Sequence, residues 1–539
     1  MAVVKLRQID TMEVGDGPPS SDHHFTVAYD SVLQSRSRQL LDMAMIHENR
    51  GRPREFLPSH FFILTLLTAL ARRPLHATQI YATYCGLTSG QHERLGLDNL
   101  HYDQVTHFLD RVEELVQAGR IDIVDLMNGV FDWQVPKRSA LSVSVDSTDY
   151  ESWGRIQAYW AKGIDPAPTA HDEPEDPPAK RKSGRSLWPI LRDDGRFQRT
   201  KDPDARDGHR SSHNNRSSGP FVGYDLNLAV NTRAFNSEHT VPNYIVGASL
   251  TPAGFHHGRA ALPIIDHILA QGHTITDIPA DRAYNSSVPK FWTGRLRELG
   301  IDPVFDLKIT QRASRPGPIP GTVVIDGTLF TDALPRHLRS LPAHSSTPDA
   351  ASHAELAKRY DERFNLYGYK PMTRANSKQR LRGPVRADRA SSPIRCPNTP
   401  FSMRGSQDRP TTSCSEGCGC NGTVTLDDSY LPNIRQRHPY GTTKWLKDYH
   451  RGNAVESANS QLRGGQPFVR GYTRVFGLIK TAFLLGFTIF AHNHACIVNH
   501  YRLRREAVPA GFPIAHRPPT TQTTHTNVTL GSREPGPGG

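Results

Sequence analysis

Over much of the first 120 residues, apolar positions recur every three or four places: Phe61, Leu64, Leu67 and Leu70 in one run, Val105, Phe108, Val112 and Leu115 in another. That spacing lines one face of an α-helix, so residues 23–135 are expected to form an all-α N-terminal domain after a disordered stretch at 1–22. Arg72, Arg73 and Pro74 end one run before a short second one around Ile80, which suits a helix-turn-helix or a plain packed bundle. The period then changes to two. Leu141, Val143 and Val145 alternate with Ser142 and Ser144, as a half-buried strand does, and that strand is expected to end at Asp146. Leu226, Leu228 and Val230 predict a second strand, and Tyr244 to Leu250 a third, antiparallel to it across a short turn near Asn236. A helix from Arg259 to Ala270 carries Leu262, Ile265 and Leu269 on one face and stops at Gly272. A strand ending at Asp281, a helix with Val288, Trp292, Leu296 and Leu299, and a strand at Val304 to Leu307 follow. This order suits an α/β fold, a mixed sheet with helices on both faces.

Two stretches interrupt the pattern. Within 136–310, residues 155–220 are rich in charge, Pro and Ser, with Lys180, Arg181, Lys182 and Arg185 close together, and read as a mobile basic loop. Residues 311–433 read as an insertion with one clear strand at Val323 to Phe330. Helical signal returns from Lys444 to Arg463 and from Val475 to Arg504, so 434–506 rejoins the sheet domain, and 507–539 is a Pro- and Thr-rich tail expected to be disordered. The most apolar stretch, Thr481 to Ala491, is shorter than the ~20 residues that span a bilayer and is flanked by Lys480, His492 and His494. It reads as a buried helix, and no membrane partner is expected.

Charge and cysteine content narrow the partners. Lys and Arg number 65 against 53 Asp and Glu, a formal net charge of +12, which favours polyanions and nucleic acid first among them. Met1 to Ser20 is polar and lacks the apolar core of a signal peptide, so a cytoplasmic, nucleoid-associated protein is expected. Four of the six cysteines, Cys396, Cys414, Cys418 and Cys420, fall within the insertion. Together they could form a tetrathiolate zinc site, against the alternative of unpaired thiols in a loop.

The chemistry rests on three acids. Asp146 and Asp281 each stand at the end of an expected strand, and Glu456 stands on an expected helix. Carboxylates held on rigid elements suit magnesium, which takes hard oxygen ligands. Taken singly, an Asp after a strand is commonly a turn residue and a helical Glu commonly faces solvent, so the surrounding segments matter. They read Ser-Val-Asp-Ser-Thr at Asp146, Ala-Asp-Arg-Ala-Tyr at Asp281, and Arg-Gly-Asn-Ala-Val-Glu from Arg451 to Glu456. These segments resemble the three blocks of DDE-class bacterial insertion-sequence transposases, over about Leu141 to Arg463.

The resemblance implies an RNase H-like catalytic domain that cleaves DNA at the ends of an element and joins them to target DNA. It also implies two Mg2+ or Mn2+ ions on Asp146, Asp281 and Glu456, and a homodimer on double-stranded DNA. Arg282, Tyr284, Tyr449 and Arg463 match the family's positions beside the acids, and with Arg451 they are the expected DNA contacts. Two positions depart from the pattern: Gly452 holds the place of the expected basic residue, with Arg451 one residue early, and Pro279 sits in an interior strand. Asp149 is the alternative ligand if the first strand runs further. The N-terminal helices are expected to read the element's ends. An RNase H-like nuclease that only hydrolyses, and a DNA-binding protein with an inactive domain, remain alternatives.

Overall fold

The computed structural model describes residues 21–46, 55–137, 139–156, 189–210, 218–285, 288–344, 349–387, 392–403, 405, 409–411, 419–464 and 470–504. Helices come first: α1 (Asp22–Gln34), α2 (Arg36–Ile46), α3 (Pro58–Leu70), α4 (Ala77–Cys85), α5 (Ser89–Leu95), α6 (Tyr102–Gln117) and α7 (Ile123–Asn128). Several start on side chains that accept from the first free amides, as Ser21 does from His24, Thr88 from Gln91 and Asp122 from Val124 and Asp125.

The main sheet follows. Its central strand β1 (Ala140–Glu151) does not end at Asp146 but continues through Thr148 and Tyr150. A small hairpin, β2 (Ile190–Leu191) with β3 (Phe197–Gln198), precedes β4 (Arg206–Arg210) and β5 (Gly219–Thr232). The described end of the expected mobile loop is therefore ordered, and β4 joins the main sheet beside the first residues of β5; Lys180, Arg181, Lys182 and Arg185 lie outside the described residues. Then come β6 (Ile245–Pro252), α8 (His257–Ala270), β7 (Thr274–Ala280), α9 (Arg282–Asn285), α10 (Thr293–Glu298) and β8 (Asp302–Phe305). The strands lie in the order β6-β5-β1-β7-β8. The first three are antiparallel neighbours, and β7 and β8 run parallel to β1.

The insertion is more structured than its sequence suggests. It contains β9 (Arg315–Pro316), β10 (Thr322–Ile325), β11 (Thr328–Thr331), α11 (Arg336–Arg339), α12 (Ala350–Tyr367), β12 (Lys370–Ala375), β13 (Lys378–Arg382), α13 (Pro384–Ala387) and β14 (Thr423–Asp427). The single strand expected at 323–330 is a hairpin, because Asp326 and Gly327 both adopt positive φ, 48° and 73°, the turn that Asp-Gly favours between antiparallel strands. Asp326 is held there by Arg312 at 3.0 Å and Arg363 at 2.7 Å. Val323, Phe330, Tyr360, Tyr440 and Trp445 belong to a core of the insertion's own, which reaches into α14 (Thr443–Tyr449).

The last described elements are α15 (Asn453–Gly464) and α16 (Leu478–Leu503). Helix α16 is long and apolar enough to cross a membrane, longer than the apolar run alone indicates, yet every residue from Thr481 to Phe490 is buried inside the fold. One sheet face, with Val143, Val145 and Ala229, packs on Ile264, Ile265 and Ile268 of α8. The other, with Leu226, Leu228 and Ile245, shares a continuous core with α15, α16 and the N-terminal helices. Those helices are thus not a separate body. All of α3 except Ser59 and Leu70 is buried, and Phe61 and Phe62 meet Phe483 and Phe487 at ring distances of 4.9 to 6.1 Å.

Candidate active site

Strands β1 and β7 are parallel neighbours with Val145 opposite Ala280. The next residue of each chain segment is an acid, so Asp146 and Asp281 follow at the same level of the sheet. Helix α15 packs on β1 and β5, and from it Asn459 Nδ2 donates to Asp146 Oδ2 at 3.1 Å. Glu456 precedes Asn459 by three residues and so shares its helix face. The three acids feel one another: burial pushes the Asp146 carboxyl up to about 7, and the charges of Asp281 and Glu456 add to the rise against the Ser147 amide and Arg463. Asp281 and Glu456 are exposed. The backbone amide of Arg282 donates to Asp281 Oδ1 at 2.5 Å.

An all-carboxylate donor set suits a hard divalent cation. Among the described residues no group of three or more His, Cys, Asp or Glu side chains is drawn together tightly enough to hold a metal as it stands. Like charges keep apart carboxylates that a divalent cation would pull in, so the fit is one of donor chemistry and placement on neighbouring elements. Asp149, the alternative acid, has its charge compensated by Arg463 at 3.0 Å and Arg210 at 3.3 Å, with its side chain 8% exposed.

Two of the expected DNA contacts are buried. Arg451 donates to Asp277 Oδ1 at 2.6 Å, to Asp448, to Ser142 and to the Arg233 carbonyl, with its side chain 1% exposed. A guanidinium spent on two buried carboxylates is a structural clamp and is not offered to a phosphate. Arg437 joins the same network through Asp448 at 2.9 Å. Tyr284 is also buried, between His257 and Trp292 at ring distances of 5.7 and 5.0 Å. Its phenol is raised by burial first and then by the charges of Asp146 and Asp281, so it floors the acids and does not face DNA. Arg282 is exposed, Tyr449 stacks on Trp445 at 4.9 Å, and Arg463 reaches back to Thr148 and Asp149. The two departures meet: Pro279 lies in interior strand β7 opposite Val304, and a Cβ on Gly452 would rest 3.8 Å from the Pro279 side chain.

No protein-family profile matches this chain, and no curated protein matches it. Among solved structures it is similar to a piggyBac transposase in a synaptic complex with hairpin DNA, at 10% identity over 92% of this chain and 79% of that one, with a TM-score of 0.31. A likeness that loose carries no argument about fold or chemistry.

Two residues at the site had gone unread in the sequence. Asn459 was in reach of the spacing argument, since it falls one turn after Glu456. His257 was not: its Nδ1 lies 3.1 Å from Ser147 Oγ, and its ring is lowered by burial against a rise from Asp281, a contact that only the approach of α8 to β1 creates. Of the cysteines, Cys396 and Cys420 are buried in one small cluster with Val385 and Ile394, and Cys420 Sγ is 2.8 Å from Thr331 Oγ1. Cys414 and Cys418 lie outside the described residues.

Proposed function

We propose that this chain is a DNA transposase of the DDE class, which cuts and rejoins phosphodiester bonds with two Mg2+ or Mn2+ ions held by Asp146, Asp281 and Glu456. The observation that carries the reading is the placement of the acids: one on the central strand, one just past its parallel neighbour, and one on a helix whose next turn bonds the first. The strand order β6-β5-β1-β7-β8, antiparallel across three strands and parallel across the rest, also suits an RNase H-like sheet. Asp146, Asp281 and Glu456 would hold the metals, whose chemistry would be to activate the attacking oxygen and stabilise the departing one. The protein's own residues orient the ligands. Asn459 fixes one Asp146 oxygen and the Arg282 amide fixes Asp281, while Tyr284 and Trp292 pack as buried rings nearby. Double-stranded DNA is the proposed substrate and a homodimer the proposed working form. A single zinc on the four insertion cysteines remains part of the same proposal.

The test uses a plasmid carrying the DNA that flanks the coding sequence, incubated with purified protein and Mg2+ or Mn2+. Asp146→Asn, Asp281→Asn and Glu456→Gln should each reduce cutting by orders of magnitude while DNA binding persists, because affinity comes mainly from Lys and Arg on phosphates. Cutting without joined products would mark a nuclease that only hydrolyses. Binding without any cutting by the unaltered protein would mark an inactive domain.

A further inference from the structure

A cleft of about 1250 Å³, whose lining includes none of the three acids, draws its walls from distant parts of the chain. Helix α1 gives His23 and His24, the turn after α3 gives Arg72, the connection between β5 and β6 gives Arg233 and Thr240, and α16 gives His492 and His494, with Arg504 just past its end. Helix α15 forms another wall through Ala454 and Gln461. At about 100° per residue, those two positions point roughly half a turn away from Glu456, Asn459 and Arg463. The same helix therefore shows one flank to the acids and the other to this cleft.

The lining is one-sided in charge. Arginine and histidine recur around it, and no Asp or Glu is among its described lining residues. Arg504 donates to Thr240 Oγ1 at 2.5 Å and to the His500 carbonyl at 3.1 Å, neutral partners, and meets no carboxylate among the described residues. His492 Nε2 is buried with no hydrogen-bond partner among the described residues, and burial together with the Arg72 charge pushes that ring down to about 4. Arg451 also lines the cleft but is held by Asp277 and Asp448. Arg72, Arg233 and Arg504, drawn from three separate parts of the chain, pair with no carboxylate among the described residues, and a concave surface that gathers them suits a chain of phosphates. A membrane surface, being flat, would not enter it.

We propose that this cleft holds the phosphate backbone of duplex DNA on the flank of α15 opposite the carboxylates. It rests on the transposase reading only for the choice of DNA as the polyanion. A duplex seated there would be gripped across α1, α3, α15 and α16 together, so the N-terminal helices would contribute to binding as part of one joint surface.

The test measures binding of a fluorescein-labelled 30-base-pair duplex to the full chain in EDTA across a salt series, beside the combined variant Arg72→Ala, Arg233→Ala and Arg504→Ala. Far-UV circular dichroism and a thermal melt confirm that the variant is folded, and the milder pair Arg72→Gln with Arg233→Gln serves if it is not. The expected result is binding weaker by about tenfold or more and a plot of log K against log salt shallower by about 2 to 3, since each arginine taken off a phosphate lowers the slope by nearly one. Unchanged affinity and slope would overturn the proposal, as would a clear preference for a duplex RNA of the same length. If the variant loses binding while the unaltered protein never cuts DNA with metal, the cleft stands and the transposase reading falls. If the unaltered protein cuts and the variant binds DNA as tightly as it does, the cleft falls alone.

Discussion

Arg451 shows how a shift of one residue changes a side chain's role. It sits in the 3-10 turn His450–Gly452 between α14 and α15, where three residues make a turn, so one place along the chain swings a side chain by about 120°. Arg451 points away from solvent and onto Asp277, Asp448 and Ser142. Burial alone would raise the Asp277 carboxyl, but Arg451, the Ser142 hydrogen bond and Arg437 together hold it below its ordinary value. A carboxylate whose pKa is depressed in the fold adds stability above its unfolded value, and that share is lost as pH falls through the folded one. The network should therefore weaken only in strong acid, below the ordinary carboxylate range, and not near neutrality. Arg451→Ala would leave two buried carboxylates to share Arg437, an expected loss of up to ~3–5 kcal/mol, read as an earlier urea transition at pH 7. Adding Asp448→Asn should recover part of it, whereas equal melts for Arg451→Ala and the unaltered protein would contradict the clamp. The sequence revealed the oddity of Arg451 but not its partners, because Asp277 and Ser142 come from strands far away in the chain.

At the scale of elements, strong periodicity was legible and punctuation was not. The alternation at Leu141, Val143 and Val145 located β1, yet Thr148 and Tyr150 continue it where the apolar run has stopped, because pairing with β5 through Glu151 replaces the missing hydrophobic signal. The candidate acids were singled out by their motifs, but Asp146 lies within β1 and not at its end, and the approach of Asp146 to Asp281 depends on the register of β1 with β7. The hairpin of β10 and β11 was missed although Asp326-Gly327 announces it. Gly327 sits at φ 73°, and a Cβ there would come within 1.8 Å of the Ile434 carbonyl oxygen. Gly327→Ala should therefore force the hairpin off the segment before α14, at a cost of more than ~1 kcal/mol. Limited proteolysis would detect it as new cleavage in residues 315–331, and an unaltered digest would count against the turn. Helix α12 escaped notice because its buried positions, Leu356, Ala357, Tyr360 and Arg363, include a charged residue that only the ion pair with Asp326 makes admissible inside.

Over the whole molecule, the expected division into a helical reader and a catalytic sheet gives way to a shared core. The sequence could not reveal this, since an amphipathic helix reports that it has a buried face but not what covers it. Phe487→Ala should strip packing from both Phe61 and Phe62 at once, costing ~3–5 kcal/mol. Hydrogen exchange should then rise in α3 as well as in α16; exchange confined to α16 would argue for independent domains. A fragment ending near Gly119 should likewise fail to give a cooperative melt. The ring stacking of Phe61 on Phe483 also sets a timetable. During synthesis the two are about 420 residues apart, roughly 20–80 s of translation at ~5–20 residues per second. The first helices must wait that long with their apolar faces uncovered, so the nascent chain is a natural client for chaperones until α16 emerges from the ribosome.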